Sequence, residues 1–206
     1  SLVAFFRIEA RVAAPIFQLG LFGAPAFNGG NLVFFVFQAS KMITFVFVVQ
    51  YLQAVPGLPP VAAGAMVATA ILPTLITSVL AGHAADRFGS RLPLLAGLVL
   101  NGGALILAGV VMQQGDYEAI GWILPAWGAT LPFLAVTSRR ALMSAAPAEL
   151  RGQAGGVNLT IQMLGGTMGI ALASTLLAGG GSYGVLFMAT GAVTLGTIAG
   201  AWSLIR

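Results

Sequence analysis

Of the 206 residues, 58% are hydrophobic and 7% charged, with a mean hydropathy of +0.97, whereas water-soluble domains run near about 45–50% apolar; the composition excludes a soluble domain and indicates an integral membrane protein. The net charge of +4 does not mark a nucleic-acid binder, because the basic residues are scattered among short loops and form no continuous patch; they read as topology signals. With no cysteine, the chain has no disulfide, thiolate metal site or cysteine nucleophile.

The chain opens inside an apolar stretch, SLVAFF, so residues 1–6 are expected to be the end of a preceding transmembrane helix and the sequence a piece of a longer protein. Residues 7–27 are expected to form a cytoplasmic loop holding Arg7, Glu9 and Arg11, then an interfacial segment, PIFQLGLFGAPAF, broken by Pro15, Gly20, Gly23 and Pro25. Residues 28–206 divide into six spans of the roughly 20 apolar residues that a bilayer core requires. Their apolar runs are continuous and lack an alternation of period two, which selects helices over barrel strands. The first span is placed at 28–54, stopped by PGLPP because proline lacks the amide hydrogen a helix interior needs. The second covers 61–81 and ends at GHAADRFGSR, and the third covers 92–112 and ends at QQGDYE. The fourth is placed at 119–137, with helix breaks expected at Pro125 and Pro132; the fifth covers 153–178 and the sixth 183–204.

Six spans put the loops alternately on two sides. One side collects Arg7, Arg11, Arg87, Arg91, Arg139, Arg140, Arg151 and Arg206; the other collects Asp116 and Glu118 and no base. By the positive-inside rule the arginine side is cytoplasmic, which places both ends of the chain there. Six also divides as three plus three, and an odd number per half sets the halves in opposite orientations, the arrangement of inverted transporter repeats.

Only Lys41 belongs to neither side. It stands thirteen residues from either end of its span, about 20 Å at 1.5 Å per residue, beyond the reach of a snorkelling lysine. A lysine at that depth costs about 2.5–3.5 kcal/mol on insertion scales, and such residues face a bundle interior or an aqueous cavity. Asn31, Gln38 and Lys41 fall within about 80° on a helical wheel, giving the first span one polar stripe. Lys41 therefore reads as lining a substrate pathway, the alternative being a structural pair with a carboxylate outside this sequence. Asn101, Asn158 and Gln162 lie inside spans, where amides commonly bond across helices. Asn158 and Gln162 are four apart, share a face and read as a second cavity wall. Trp127 and Thr130 of the fourth span are candidates for a stacking surface in the same cavity, and Trp122 for an interfacial anchor. In GGVNLTIQMLGGTMGIA, Gly165, Gly166 and Gly169 provide a surface on which a neighbouring helix packs closely.

Catalysis finds no support. The single histidine, His83, lies at a membrane boundary, GGGS lacks a following lysine, and HAAD offers one histidine. No enzyme activity, cofactor or metal site is expected.

The spacing Gly82-x-x-x-Asp86-Arg87-x-Gly89-x-Arg91 resembles the motif of the major facilitator superfamily that follows the second helix of each six-helix half. VQYLQAVPGLPPVAAG, the RGQAGG at the start of the fifth span, LGGTMGIA and PIFQLGLF look like the fourteen-helix drug:proton antiporters of that superfamily. The resemblance covers nearly the whole chain but only the C-terminal half of such a transporter. It implies an all-α, six-helix bundle with 3+3 inverted repeats, partnered by a missing N-terminal half in the plasma membrane. Such a protein exchanges protons for hydrophobic small molecules by alternating access, with the first and fourth spans lining the cavity. Gly82, Asp86, Arg87, Gly89 and Arg91 would form a gating loop whose charges latch neighbouring helices. Lys41 departs from what a cation exporter would prefer and gives weight to anionic or zwitterionic substrates. An uptake symporter of the same superfamily and a non-transporting membrane sensor or assembly protein are the rival readings.

Overall fold

The structure, a computed structural model, describes residues 19–204; the reading of 1–6 as a helix end lies outside them, as does the part of the 7–27 loop and interfacial segment before Leu19, and the end of that segment from Pro25 on belongs to the first helix. A short 3-10 turn, Leu19–Gly23, leads into seven α-helices: α1 (Pro25–Ala54), α2 (Pro60–Ala68), α3 (Leu72–Phe88), α4 (Arg91–Gln114), α5 (Tyr117–Ala145), α6 (Arg151–Ala178) and α7 (Tyr183–Leu204). Helices α2 and α3 together make one span, so the described residues contain six segments long and apolar enough to cross a membrane. The protein is a multi-pass integral membrane protein.

Proline in the first turn opens α1, α2 and α3, where its missing amide hydrogen has no intrahelical partner to lose. Glycine closes two helices: Gly89 (φ 75°) ends α3 and Gly115 (φ 75°) ends α4, both in backbone that other residues rarely adopt. The Asp116 carboxylate then caps α5 by accepting from the Ala119 amide at 3.1 Å.

Two expectations need correction. The decapeptide is not a loop up to its end: Gly82, Asp86 and Arg87 sit on the last two turns of α3, and only Gly89 and Ser90 make the turn into α4. The helix outruns the apolar run because nothing in HAADRF breaks it before Gly89. Helix α5 likewise does not break at Pro125 or Pro132 and runs on to Ala145, eight residues past its expected end. Transmembrane helices tolerate proline because neighbouring groups re-satisfy the freed backbone.

The packing is that of two inverted triplets. Spans one and five are parallel and in register, with Asn31 against Asn158, Phe35 against Gly165 and Ala39 against Gly169. Spans four and two repeat that arrangement, with Gly121 against Met66 and Gly128 against Ala70. Spans three and six are antiparallel and self-matching, Gly102 against Gly191 and Gly109 against Gly184. Spans one and four cross the centre antiparallel, with Gly30 against Leu142 and Phe45 against Trp127. Exchanging the first three spans for the last three leaves this pattern unchanged. The burial follows it: the apolar stretches of the second and fifth spans are 17% and 22% buried, against 44–50% in the other four. These two spans are the flanks of the bundle.

Candidate functional site

Asn31, Gln38, Asn158 and Gln162 gather where α1 meets α6. The Asn31 amide donates to the Phe27 carbonyl at 3.0 Å, Asn158 Nδ2 donates to Asn31 Oδ1 at 2.9 Å, and Gln162 Nε2 donates to Asn158 Oδ1 at 2.6 Å. Helix α1 lies close enough for this because Gly165 and Gly169 present no side chain: a Cβ on Gly165 would stand 2.3 Å from the Phe35 carbonyl oxygen. Gly166 leaves room for Met42 and for Gln38, whose Oε1 is buried without a partner. The structure thus joins Asn31, Gln38, Asn158 and Gln162 on one interhelical face.

Lys41 lies about 60° round α1 from Gln38, toward α5. Its Nζ stands 5.3 Å from the centre of the Phe37 ring. Phe37 meets Phe34 edge-to-face, centroids 6.2 Å apart, and the Arg139 guanidinium of α5 stands 5.7 Å from the Phe34 centroid. One turn beyond Lys41, Phe45 packs edge-to-face on Trp127 at 5.6 Å. The Phe34–Phe37 pair therefore carries one cation on each ring along the α1–α5 seam, with the Phe45–Trp127 pair further on.

Trp127 and Thr130 are placed differently. Trp127 is 1% exposed and belongs to the core, and Thr130 turns to α4, accepting from Asn101 Nδ2 at 2.7 Å while donating to the Trp127 carbonyl. Asn101 and Thr130 hold α4 to α5 rather than joining the α1–α6 polar face. Trp122 is exposed, as an interfacial anchor would be.

The residues of the glycine-spaced motif disperse over three contacts. Asp86 pairs with Arg140, tying the end of α3 to the end of α5, and this is the one ion pair among the described residues. Arg87 lies over its neighbour Phe88. Arg91 stacks on Trp202, 3.8 Å from the ring centre, and donates to the Trp202 carbonyl at 2.9 Å, fastening the start of α4 to the end of α7. His83 is exposed, its Nδ1 2.9 Å from the Val79 carbonyl oxygen.

A separate crevice of about 230 Å³ opens between α1, α6 and α7, lined by Val36, Ile43, Leu172, Ala173 and Leu186 and by the hydroxyl residues Ser40 and Thr190. Both hydroxyls donate to carbonyls of their own helices, so the crevice offers a ligand no free hydroxyl hydrogen and walls that are otherwise apolar. The amide and amine side chains of the spans lie on the α1–α5–α6 side instead.

Three features escape a reading of the sequence. Arg139 registers there only as a loop charge, although it lies on a continuous α5. The partners of Arg91 and Asp86 are far away in the chain. The glycine contact between α4 and α7 does leave a signal, since Gly102 and Gly109, like Gly184 and Gly191, are seven residues apart and so share a helix face.

The profile of the Major Facilitator Superfamily matches residues 31–206. Among curated proteins, the chain is 29% identical over 182 residues to the tetracenomycin C resistance and export protein of Streptomyces glaucescens, covering 86% of this chain and 33% of that one. It is 32% identical over 179 residues to the multidrug resistance protein Stp of Mycobacterium tuberculosis, covering 84% and 32%. It is 32% identical over 184 residues to the methyl viologen resistance protein SmvA of Salmonella typhimurium, covering 84% and 35%. The chain spans about a third of the length of these relatives. An inverted-repeat bundle of six spans and a profile match over nearly its whole length make this chain a member of the Major Facilitator Superfamily.

Proposed function

We propose that the chain is the C-terminal bundle of a proton-driven efflux transporter that exports hydrophobic small molecules by alternating access. The observation that carries this reading is the pair of uncovered flanks. The second and fifth spans are equivalent under the repeat, and each is buried over about a fifth of its apolar stretch. The polar α1–α6 face lies between them. A second bundle laid across both flanks would enclose the partly exposed Gln38, Lys41 and Gln162 of that side, which is the geometry of a transporter site between repeats. The relatives are called export and resistance proteins, which favours outward movement of small molecules over uptake or a sensing role.

In this reading the transporter sits in the plasma membrane with the arginine-bearing end cytoplasmic. The missing half supplies the proton-coupling carboxylate: Asp86, Asp116, Glu118 and Glu149, the acids among the described residues, all lie within about a turn of a helix end. The Asp86–Arg140 pair is the candidate latch. It joins spans two and four at one end of the bundle, so it stabilises whichever state keeps those ends together.

The test is efflux of a lipophilic fluorescent dye from cells producing the full-length protein. Efflux that stops when a protonophore collapses the gradient supports the proposal. Gradient-driven accumulation inside the cell would favour an uptake symporter, and no flux of any dye, with the protein verified in the membrane, a non-transporting role.

A further inference from the structure

Resting on that reading, we infer that the α1–α5 seam is the binding path for an aromatic organic anion, with Arg139 receiving the negative group at the arginine-bearing end and Lys41 holding it deeper in the bundle. Two cations stand in line on one seam. Arg139 lies over Phe34 at 5.7 Å and Lys41 over Phe37 at 5.3 Å, and the two rings touch edge-to-face. Phe34 and Lys41 are seven residues apart on a continuous helix, so Lys41 is about 10 Å further in.

Neither cation pairs with a carboxylate among the described residues. The ion pair among the described residues takes Asp86 for Arg140 and leaves the adjacent Arg139 with a ring face alone. A ring face orients a cation and attracts it weakly without neutralising it. Both cations therefore keep the capacity for a charge-assisted bond to an anion. Arg139 is exposed and Lys41 half-buried, so an anion met by the first in water would be held by the second in a more shielded place.

The surroundings describe the rest of the ligand. At the end of α5 a shallow basin of about 510 Å³, lined by Ala135, Val136, Arg139, Arg140 and Met143, forms a basic mouth. Inward of it, Phe34, Phe37 and Trp127 are buried and form the apolar wall, while the partly exposed Phe45 ring offers the edge against which an aromatic body packs. Gln38 Oε1, buried and unpartnered, is an acceptor for a ligand hydroxyl or amine hydrogen. The class that fits is a planar aromatic carboxylate or sulfonate carrying a donor group.

The experiment uses purified full-length protein and two probes, carboxyfluorescein as the anion and ethidium as the cation. Binding is followed by fluorescence anisotropy, and efflux is measured from vesicles. Wild type should bind carboxyfluorescein. Lys41→Gln should weaken that binding relative to ethidium by at least about tenfold, the loss of one charge-assisted bond, and Lys41→Arg should recover most of it. Arg139→Gln should slow anion efflux more than it weakens anion binding. An equal loss for both probes in Lys41→Gln would mark a structural charge and overturn the proposal, as would a wild-type protein that binds ethidium alone. If neither probe is transported but anion binding still tracks Lys41, the anion site stands and the efflux reading falls. If efflux of ethidium is intact and carboxyfluorescein neither binds nor moves, the anion site falls and the efflux reading stands.

Discussion

Asn158 makes two interhelical or intrahelical amide bonds at once, donating to Asn31 and accepting from Gln162. Asn158→Ala leaves both partners without it, and at about 0.6–2 kcal/mol per amide bond in a membrane the full-length protein should unfold at a measurably lower temperature in detergent. An unchanged Tm would show that the ladder holds nothing together. The Asp86–Arg140 pair is a different kind of contact. Its side chains are 71% and 47% exposed, so as a surface pair it is worth under about 1 kcal/mol of stability. Asp86→Asn should leave Tm and membrane insertion in place, yet reduce turnover at least about fivefold if the pair couples the two spans; normal turnover would contradict the latch. At this scale the sequence is legible where a side chain is out of place in its surroundings. Asn31, Gln38, Lys41, Asn158 and Gln162 stand out because amides and amines are costly in apolar helices. What such residues touch is not legible: Thr130 faces Asn101 rather than the polar face because of the α4–α5 register, which no local pattern encodes.

Between elements, glycine sets the approach distances. A Cβ on Gly128 would fall 1.9 Å from the Ala70 carbonyl oxygen, at the break between α2 and α3, while one on Gly103 meets nothing within 4 Å. Gly128→Ala should therefore displace span two from span four and cost several kcal/mol or prevent folding, as overpacking of a tight interface does. Gly103→Ala should be neutral or slightly stabilising, by up to about 1 kcal/mol, from helix propensity. Protein yield and thermal unfolding of the pair decide it, and equal behaviour would refute the packing. The six spans were readable because twenty apolar residues in a row admit few other structures. Their ends were less so. An apolar run stops at the first charge, but the α3 backbone goes on past His83 and Asp86 until Gly89 can turn it, and α5 passes two prolines because neighbouring groups can satisfy the carbonyls that proline leaves without a donor. Gly165 and Gly169 were visible by their spacing of four, whereas the α4–α7 glycines, spaced seven apart, need the partner helix before they mean anything.

For the whole molecule, the inverted repeat explains why an odd triplet of spans is the unit: it returns the same interfaces with the opposite orientation, so one set of contacts serves both membrane faces. In the function proposed above, the bundle packs on a second along its second and fifth spans and exposes the α1–α5–α6 face to each side in turn. Because this chain has no cysteine, a single reporter can be introduced at Gln38→Cys, on a full-length background from which any other cysteine has been removed. The most direct test is to treat right-side-out and inside-out vesicles with a membrane-impermeant maleimide. Labelling of position 38 from both sides, with substrate and proton gradient shifting the balance between them, is the predicted result. Labelling from one side only under every condition would contradict alternating access through this face.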